Sequence, residues 1–120
     1  MDGLLVIDVP RAIPSGNDFH KRHWSGYAKE KGVWMVLIRR ATARRANPPD
    51  VAMRARIITY RPRALDHGNL VAGAKPIPDV LIALNYLRDD SPAWFDCDYR
   101  QVIVPHGNRT VIQLWRRPPD

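Results

Sequence analysis

At 120 residues the chain is long enough for one domain with a modest core and too short for two ordinary ones, so a partner subunit would help it bury surface. Its 19 Lys and Arg against 12 Asp and Glu give a formal charge of +7, with most of the acids in the second half. Such an excess attracts polyanions over long range, which puts nucleic acid first among partners and an anionic membrane surface second. The single cysteine, Cys97, excludes an internal disulfide and a thiolate metal knuckle, and reads as a strand residue in a reducing cytosol. MDGLLVIDVPR lacks the basic start and longer apolar run of a secretory leader, and no apolar stretch reaches transmembrane length, so the expectation is a soluble, cytoplasmic protein with no membrane partner.

Leu4 to Val9 reads as a first strand, stopped by Pro10 and Pro14. The loop PRAIPSGNDFHKRH that follows combines turn formers with a basic cluster. From about Trp24 to Arg45, Tyr27, Trp34, Leu37, Ile38 and Ala41 recur on one face of a helix. Gly32 weakens that helix, because an interior glycine costs about 1 kcal/mol relative to alanine. Lys29, Lys31, Arg40 and Arg44 occupy the other side, and Arg39 and Arg45 extend the cluster at its end. There they either complement the helix dipole or face phosphate.

Asn47-Pro48-Pro49-Asp50 ends that helix, and Val51 to Tyr60 alternates as a strand with a basic edge carrying Arg54 and Arg56. Arg61, Pro62 and Arg63 lead into LDHGN. A second helix is expected between Asn69 and Leu87. Starting near Pro76 keeps Pro76 and Pro78 in a first turn, where amides have no internal partner, whereas an earlier start at Asn69 would need a kink. Trp94 to Val104 and Arg109 to Trp115 are strand-like, and the Pro105-His106-Gly107-Asn108 link between them signals a hairpin. The order β-α-β-α-β-β predicts an α/β single domain: a two-layer fold of one mixed sheet with two helices on it.

Acids fall at element ends: Asp66 after a strand, Asp79 in the second helix, Asp89 and Asp90 after it. Rigid scaffolds present side chains to clefts from such places. Mg²⁺ is typically held by one or two carboxylates with waters and phosphate oxygens, so acids converging on a basic surface suit phosphodiester hydrolysis. Taken singly, Asp-Asp-Ser-Pro is an ordinary turn, and Lys75 with Asp79 an ordinary surface ion pair four residues apart. The histidines His20, His23, His67 and His106 have no zinc spacing, and neither a glycine-rich phosphate loop nor a nucleophile elbow is present.

The order of these features, from the first strand with Pro14-Ser15-Gly16-Asn17 through Leu65-Asp66, Asn69-Leu70, Lys75, Asp79 and Asp89-Asp90 to the last strand, resembles the RusA-type Holliday junction resolvases, especially phage-like members. The resemblance implies a RusA-like homodimer that uses Mg²⁺, with Mn²⁺ as a possible substitute, to cut branched DNA by paired nicks in recombination and repair. Under it, Asp66 is the first carboxylate of the family's Asp-x-Asp-Asn motif, Asn69 its asparagine, Asp90 the late metal-binding aspartate, and Lys75 the essential lysine facing the scissile phosphate. Asp89 and Asp79 are further acidic candidates for the metal, and Asn17, Arg40, Arg44, Arg61, Arg63, Asn69 and Lys75 are expected to contact DNA.

One departure stands out: Gly68 occupies the position of the family's second aspartate. Losing one inner carboxylate weakens a Mg²⁺ site, and His67 could substitute only as a ligand better suited to Mn²⁺. Two principal readings follow, an active structure-selective endonuclease and a catalytically weakened protein that still binds branched DNA. A third, single-strand or duplex binding through Trp94, Tyr99 and the arginines, requires strand aromatics to stack bases rather than fill a core.

Overall fold

A computed structural model of the chain describes residues 1–16 and 24–119. In chain order the elements are β1 (Leu5–Val9), α1 (Trp24–Ala41), β2 (Met53–Arg61), α2 (His67–Ala74), α3 (Pro76–Ala83), β3 (Phe95–Ile103) and β4 (Arg109–Arg116). The four strands form one mixed sheet in the order β1-β4-β2-β3, so the expected α/β architecture holds. β4 is antiparallel to β1 and to β2, while β2 and β3 run parallel. Asn17 lies outside the described residues.

The strand assignments agree to within two residues, but the hairpin does not form. β3 and β4 follow each other in sequence, yet β2 lies between them and pairs with both. The reason is burial. Met53, Ala55, Ile57 and Thr59 of β2 are all buried on the helix-covered face, which makes β2 the strand that gains most from two neighbours. The 104–108 link spans its end instead of closing a tight turn, and the Val104 amide donates to the Arg61 carbonyl at 2.9 Å. Parallel pairing of β2 with β3 requires a crossover, and the helical run 67–83 supplies it.

That run is the second departure. Instead of one helix beginning near Pro76, two eight-residue helices abut at Lys75, so α1 is joined by two shorter helices. Pro76 and Pro78 open α3 as expected, since neither can donate into a preceding turn. What the glycine-rich HGNLVAGA conceals is a helix capped by Asp66, whose side chain accepts from the Asn69 amide, with Leu70 and Ala74 buried one turn apart. α3 buries Ile77, Val80 and Leu81 completely and forms the centre of the core. It ends through Leu84 and Asn85, and Asn85 takes a left-handed conformation (φ 64°) that asparagine tolerates.

α1 stops at Ala41, earlier than the expected Arg45. Beyond it the Tyr86 hydroxyl pairs with Thr42 Oγ1 at 2.6 Å and donates to the Ala43 carbonyl, drawing the chain off the helix axis. Trp34 and Ile38 of α1 are fully buried, and the helix packs against α3 and β1. Gly32 faces open solvent, which is why it is tolerated.

Two glycines fix how the crossover sits. The segment after β1 runs across α2, with the Gly16 amide donating to the Asn69 carbonyl at 3.0 Å, and a Cβ on Gly73 would collide with the Pro14 carbonyl. Gly73→Ala is therefore expected to destabilise by about 1–3 kcal/mol through overpacking. Gly32→Ala should stabilise by about 0.5–1 kcal/mol through helix propensity alone. Urea denaturation of both variants checks the opposite signs.

Candidate functional site

The two ends of α2 carry the two halves of the expected site. At its N-terminus, Asp66 is the cap: its Oδ1 accepts from the Asn69 amide at 2.9 Å and its Oδ2 from Asn69 Nδ2 at 2.7 Å. The backbone hydrogen bond from Asn69, then its side-chain one, holds the Asp66 carboxyl below the usual carboxylate range. His67 and Gly68 are exposed on the same first turn. A Cβ at Gly68 would meet only Asp66 Oδ1, at 3.4 Å, so the missing carboxylate is not excluded by space.

At the other end, Lys75 stands at the break between α2 and α3. With about 1.5 Å of rise per residue, α2 separates Asp66 from Lys75 by roughly 13 Å along its axis. Lys75 and Asp90 face the same cavity of about 330 Å³, whose wall also includes Val71, Asp96, Cys97 and Tyr99. Asp66 is not part of that wall. Asp89 and Asp90 are exposed in the loop before β3, and Asp89 Oδ1 accepts the Asp90 amide at 2.8 Å.

Asp79, in the first turn of α3, accepts a hydrogen bond from the Tyr27 hydroxyl of α1, and the Lys75 ammonium lies 5.9 Å from the centre of the Tyr27 ring. Burial pushes the Tyr27 hydroxyl above its ordinary pKa, the Asp79 hydrogen bond and charge add to this, and the Asp90 charge contributes. Periodicity assigned Tyr27 only to the core face of α1. The available signal was its hydroxyl, which a half-buried tyrosine must pair. Tyr99 is likewise raised by burial, with Cys97 and the Asp90 charge adding to it. Cys97 is pushed up to about 12, chiefly by burial, which leaves it an unreactive thiol.

Among the described residues, some basic side chains are paired and others are exposed. Arg54 donates to Asp96 at 2.7 Å, and Arg56 and Arg100 both donate to Asp98 at 3.0 Å, so the basic edge of β2 is neutralised by β3. Arg61 is a strap, donating to the carbonyls of Arg63 and Ile13. Arg40, Arg44 and Arg63 are exposed, Arg40 in the last turn of α1 and Arg44 just past its end.

Among the described residues no group of three or more His, Cys, Asp or Glu side chains is placed to hold a metal ion. The donor set fits a cation held by the Asp90 carboxylate with water and phosphate oxygens completing its shell, and does not fit a three-carboxylate site within one chain. A larger cavity of about 800 Å³, lined by Met1, Val51, Trp115 and Arg117 among others, includes none of the residues proposed for chemistry. No helix among the described residues is long and apolar enough to cross a membrane. No protein-family model matches the chain, and no curated protein matches it significantly.

Because its pKa is lowered on folding, Asp66 stabilises the fold above the ordinary carboxylate pKa of about 4, and that contribution fades as pH falls through its depressed folded value. Asn69→Ala removes a side-chain donor, so carboxyl-detected NMR should show the Asp66 titration moving upward toward the ordinary value. An unmoved midpoint contradicts the assigned cause.

Proposed function

We propose that the protein is a structure-selective, metal-dependent endodeoxyribonuclease that acts on Holliday junctions or other branched DNA, as the resemblance to RusA-type resolvases implies. The observation that carries this reading is the cavity shared by Lys75 and Asp90, a cation and a carboxylate facing one small volume beside a helix break. Lys75 is suited to stabilise the charge that develops on a phosphoryl oxygen, and the Tyr27 ring beside it restricts where the ammonium rests. Asp90 would hold Mg²⁺ or Mn²⁺, which when bound supplies Lewis-acid polarisation of the phosphate and an activated water. Asp66 and Asn69 present polar groups at the far end of α2. Arg40, Arg44 and Arg63 are exposed and suited to the phosphates of the DNA arms, and the net charge of +7 favours their approach.

A second reading, a catalytically weakened protein that binds branched DNA, is favoured by the separation of Asp66 from the Lys75–Asp90 cavity and by Gly68. Both readings place the protein in the cytoplasm as a homodimer on DNA.

Incubating a synthetic four-way junction with the protein and Mg²⁺ or Mn²⁺ separates them. The nuclease reading expects metal-dependent nicking that drops about 10²–10³-fold in Lys75→Ala, the scale of losing one transition-state charge partner, and at least as far in Asp90→Asn. Junction binding without nicking, with nicking appearing in Gly68→Asp, selects the binder. Absence of any preference for junction over duplex rejects both.

A further inference from the structure

We propose that the apolar floor of the cavity shared by Lys75 and Asp90 is a base pocket, which takes one unpaired nucleobase of the DNA while the phosphate of that nucleotide stays at the charged rim. The inference rests on the branched-DNA reading above and gives it a source of structure selectivity.

The cavity is not built for phosphate alone. Lys75 and Asp90 are exposed, whereas Pro78 of α3 and Phe95 of β3 are buried, so the charge lies on the solvent side and the floor is apolar. Asp96, the other carboxylate of the wall, is already engaged by Arg54 and Arg117. Val71, Cys97 and Tyr99, each part-buried, add aliphatic, thiol and aromatic surface. A phosphodiester is charged and strongly hydrated, and moving it onto such a floor costs more than it returns. A nucleobase is the flat, uncharged part of the same nucleotide, and an aromatic ring such as that of Tyr99 is a surface on which bases stack.

The size agrees. An apolar cavity of about 150 Å³ holds a benzene molecule, so one of about 330 Å³ has room for a one- or two-ring base. The ring nitrogens and carbonyls of that base also need polar partners. β3, which supplies Phe95, Cys97 and Tyr99, lies at the end of the sheet, and among the described residues β2 is its only strand partner. Backbone donors and acceptors on its outer side are therefore not used by another strand, and an unpaired edge beside the cavity can meet the edge of a base.

A base must leave its stack to enter. Extracting one from a duplex costs unstacking and unpairing energy, and the cost is least where the base is already unpaired. Paired duplex is thus disfavoured, and a branch point that exposes an unpaired nucleotide is selected, by the pocket itself. The arginines at the end of α1 cannot make this distinction, because phosphate contacts position a nucleic acid without reading its bases.

Fluorescence anisotropy in EDTA, where cleavage does not intervene, compares a four-way junction carrying one unpaired adenosine at its branch point with the same junction carrying an abasic residue there. Wild type is expected to bind the first about tenfold more tightly, the scale of one lost base–aromatic stack. Tyr99→Phe, which keeps the ring, should preserve that ratio. Tyr99→Leu, and Val71→Trp, which fills the cavity from α2, should each bring it close to one, with circular dichroism restricting the comparison to folded variants. On wild type itself, 5-iodouracil at the unpaired position should photo-crosslink to the β3 peptide that contains Tyr99. Equal affinity of wild type for the two junctions overturns the base pocket and leaves the nuclease reading standing, whereas affinity for neither overturns both. A ratio unchanged in Tyr99→Leu and Val71→Trp, or crosslinks confined to other segments, overturns the site. Saturable binding of deoxyadenosine monophosphate by a protein that binds neither junction makes the occupant a free nucleotide and overturns the proposal as well.

Discussion

The arrangement of this fold depends on how the segment after β1 is held between the sheet and α2. Thr59 and Thr110, the buried polar side chains at the end of the sheet, face each other at 3.2 Å on β2 and β4. Thr59 Oγ1 accepts the Ile13 amide at 2.8 Å, and Thr110 Oγ1 donates to the Arg11 carbonyl at 2.7 Å. These bonds satisfy backbone groups that would otherwise be stranded in an apolar core, where each orphan costs about 1–3 kcal/mol. With residues 11–13 fixed, Pro14 and Gly16 lie against Gly73 and Asn69, and only residues without bulk at 16 and 73 let the two backbones approach. The position of α2, and hence of Asp66 at one end and Lys75 at the other, follows from this contact.

Charge in the folded chain is distributed differently from charge in the sequence. Arginines that form a basic run along β2 meet aspartates of β3 through parallel pairing, because the register brings Arg54 beside Asp96 and Arg56 beside Asp98. Exposed ion pairs of this kind add little stability, on the order of 0–1 kcal/mol each, but they remove that face from the basic surface. Among the described residues, Arg39, Arg40, Arg44 and Arg45 leave exposed positive charge at the end of α1 and in the loop after it. Lys75 differs from these, since a helix break displays it beside an aromatic ring and a carboxylate.

Asp79 and Tyr27 show how one hydrogen bond reassigns a residue. By spacing alone, Asp79 is the partner of Lys75 on one helix face. In the fold its carboxylate is engaged by a hydroxyl from α1, 52 positions away, and Lys75 instead lies near the ring of that tyrosine. Asp90 lines the same cavity as Lys75 from a separate loop. A local pairing has been exchanged for a contact between α1 and the start of α3, with Lys75 at the α2–α3 break beside it.

The chain alone determined what short-range physics encodes. Alternation placed β1 and β2, runs rich in aromatic and β-branched residues placed β3 and β4, the 3.6-residue period placed α1, and prolines marked the start of α3. Each of these depends on hydrogen bonds and burial within a few residues. The helix hidden in HGNLVAGA was not legible, because its glycines suit a close contact with Pro14 that no local window contains. Nor was strand order: the 104–108 link permits a hairpin, and only competition for burial, won by the apolar face of β2, inserts that strand between β3 and β4. The same long-range choices decided which arginines are neutralised, which acid faces Lys75, and which strand is left at the edge.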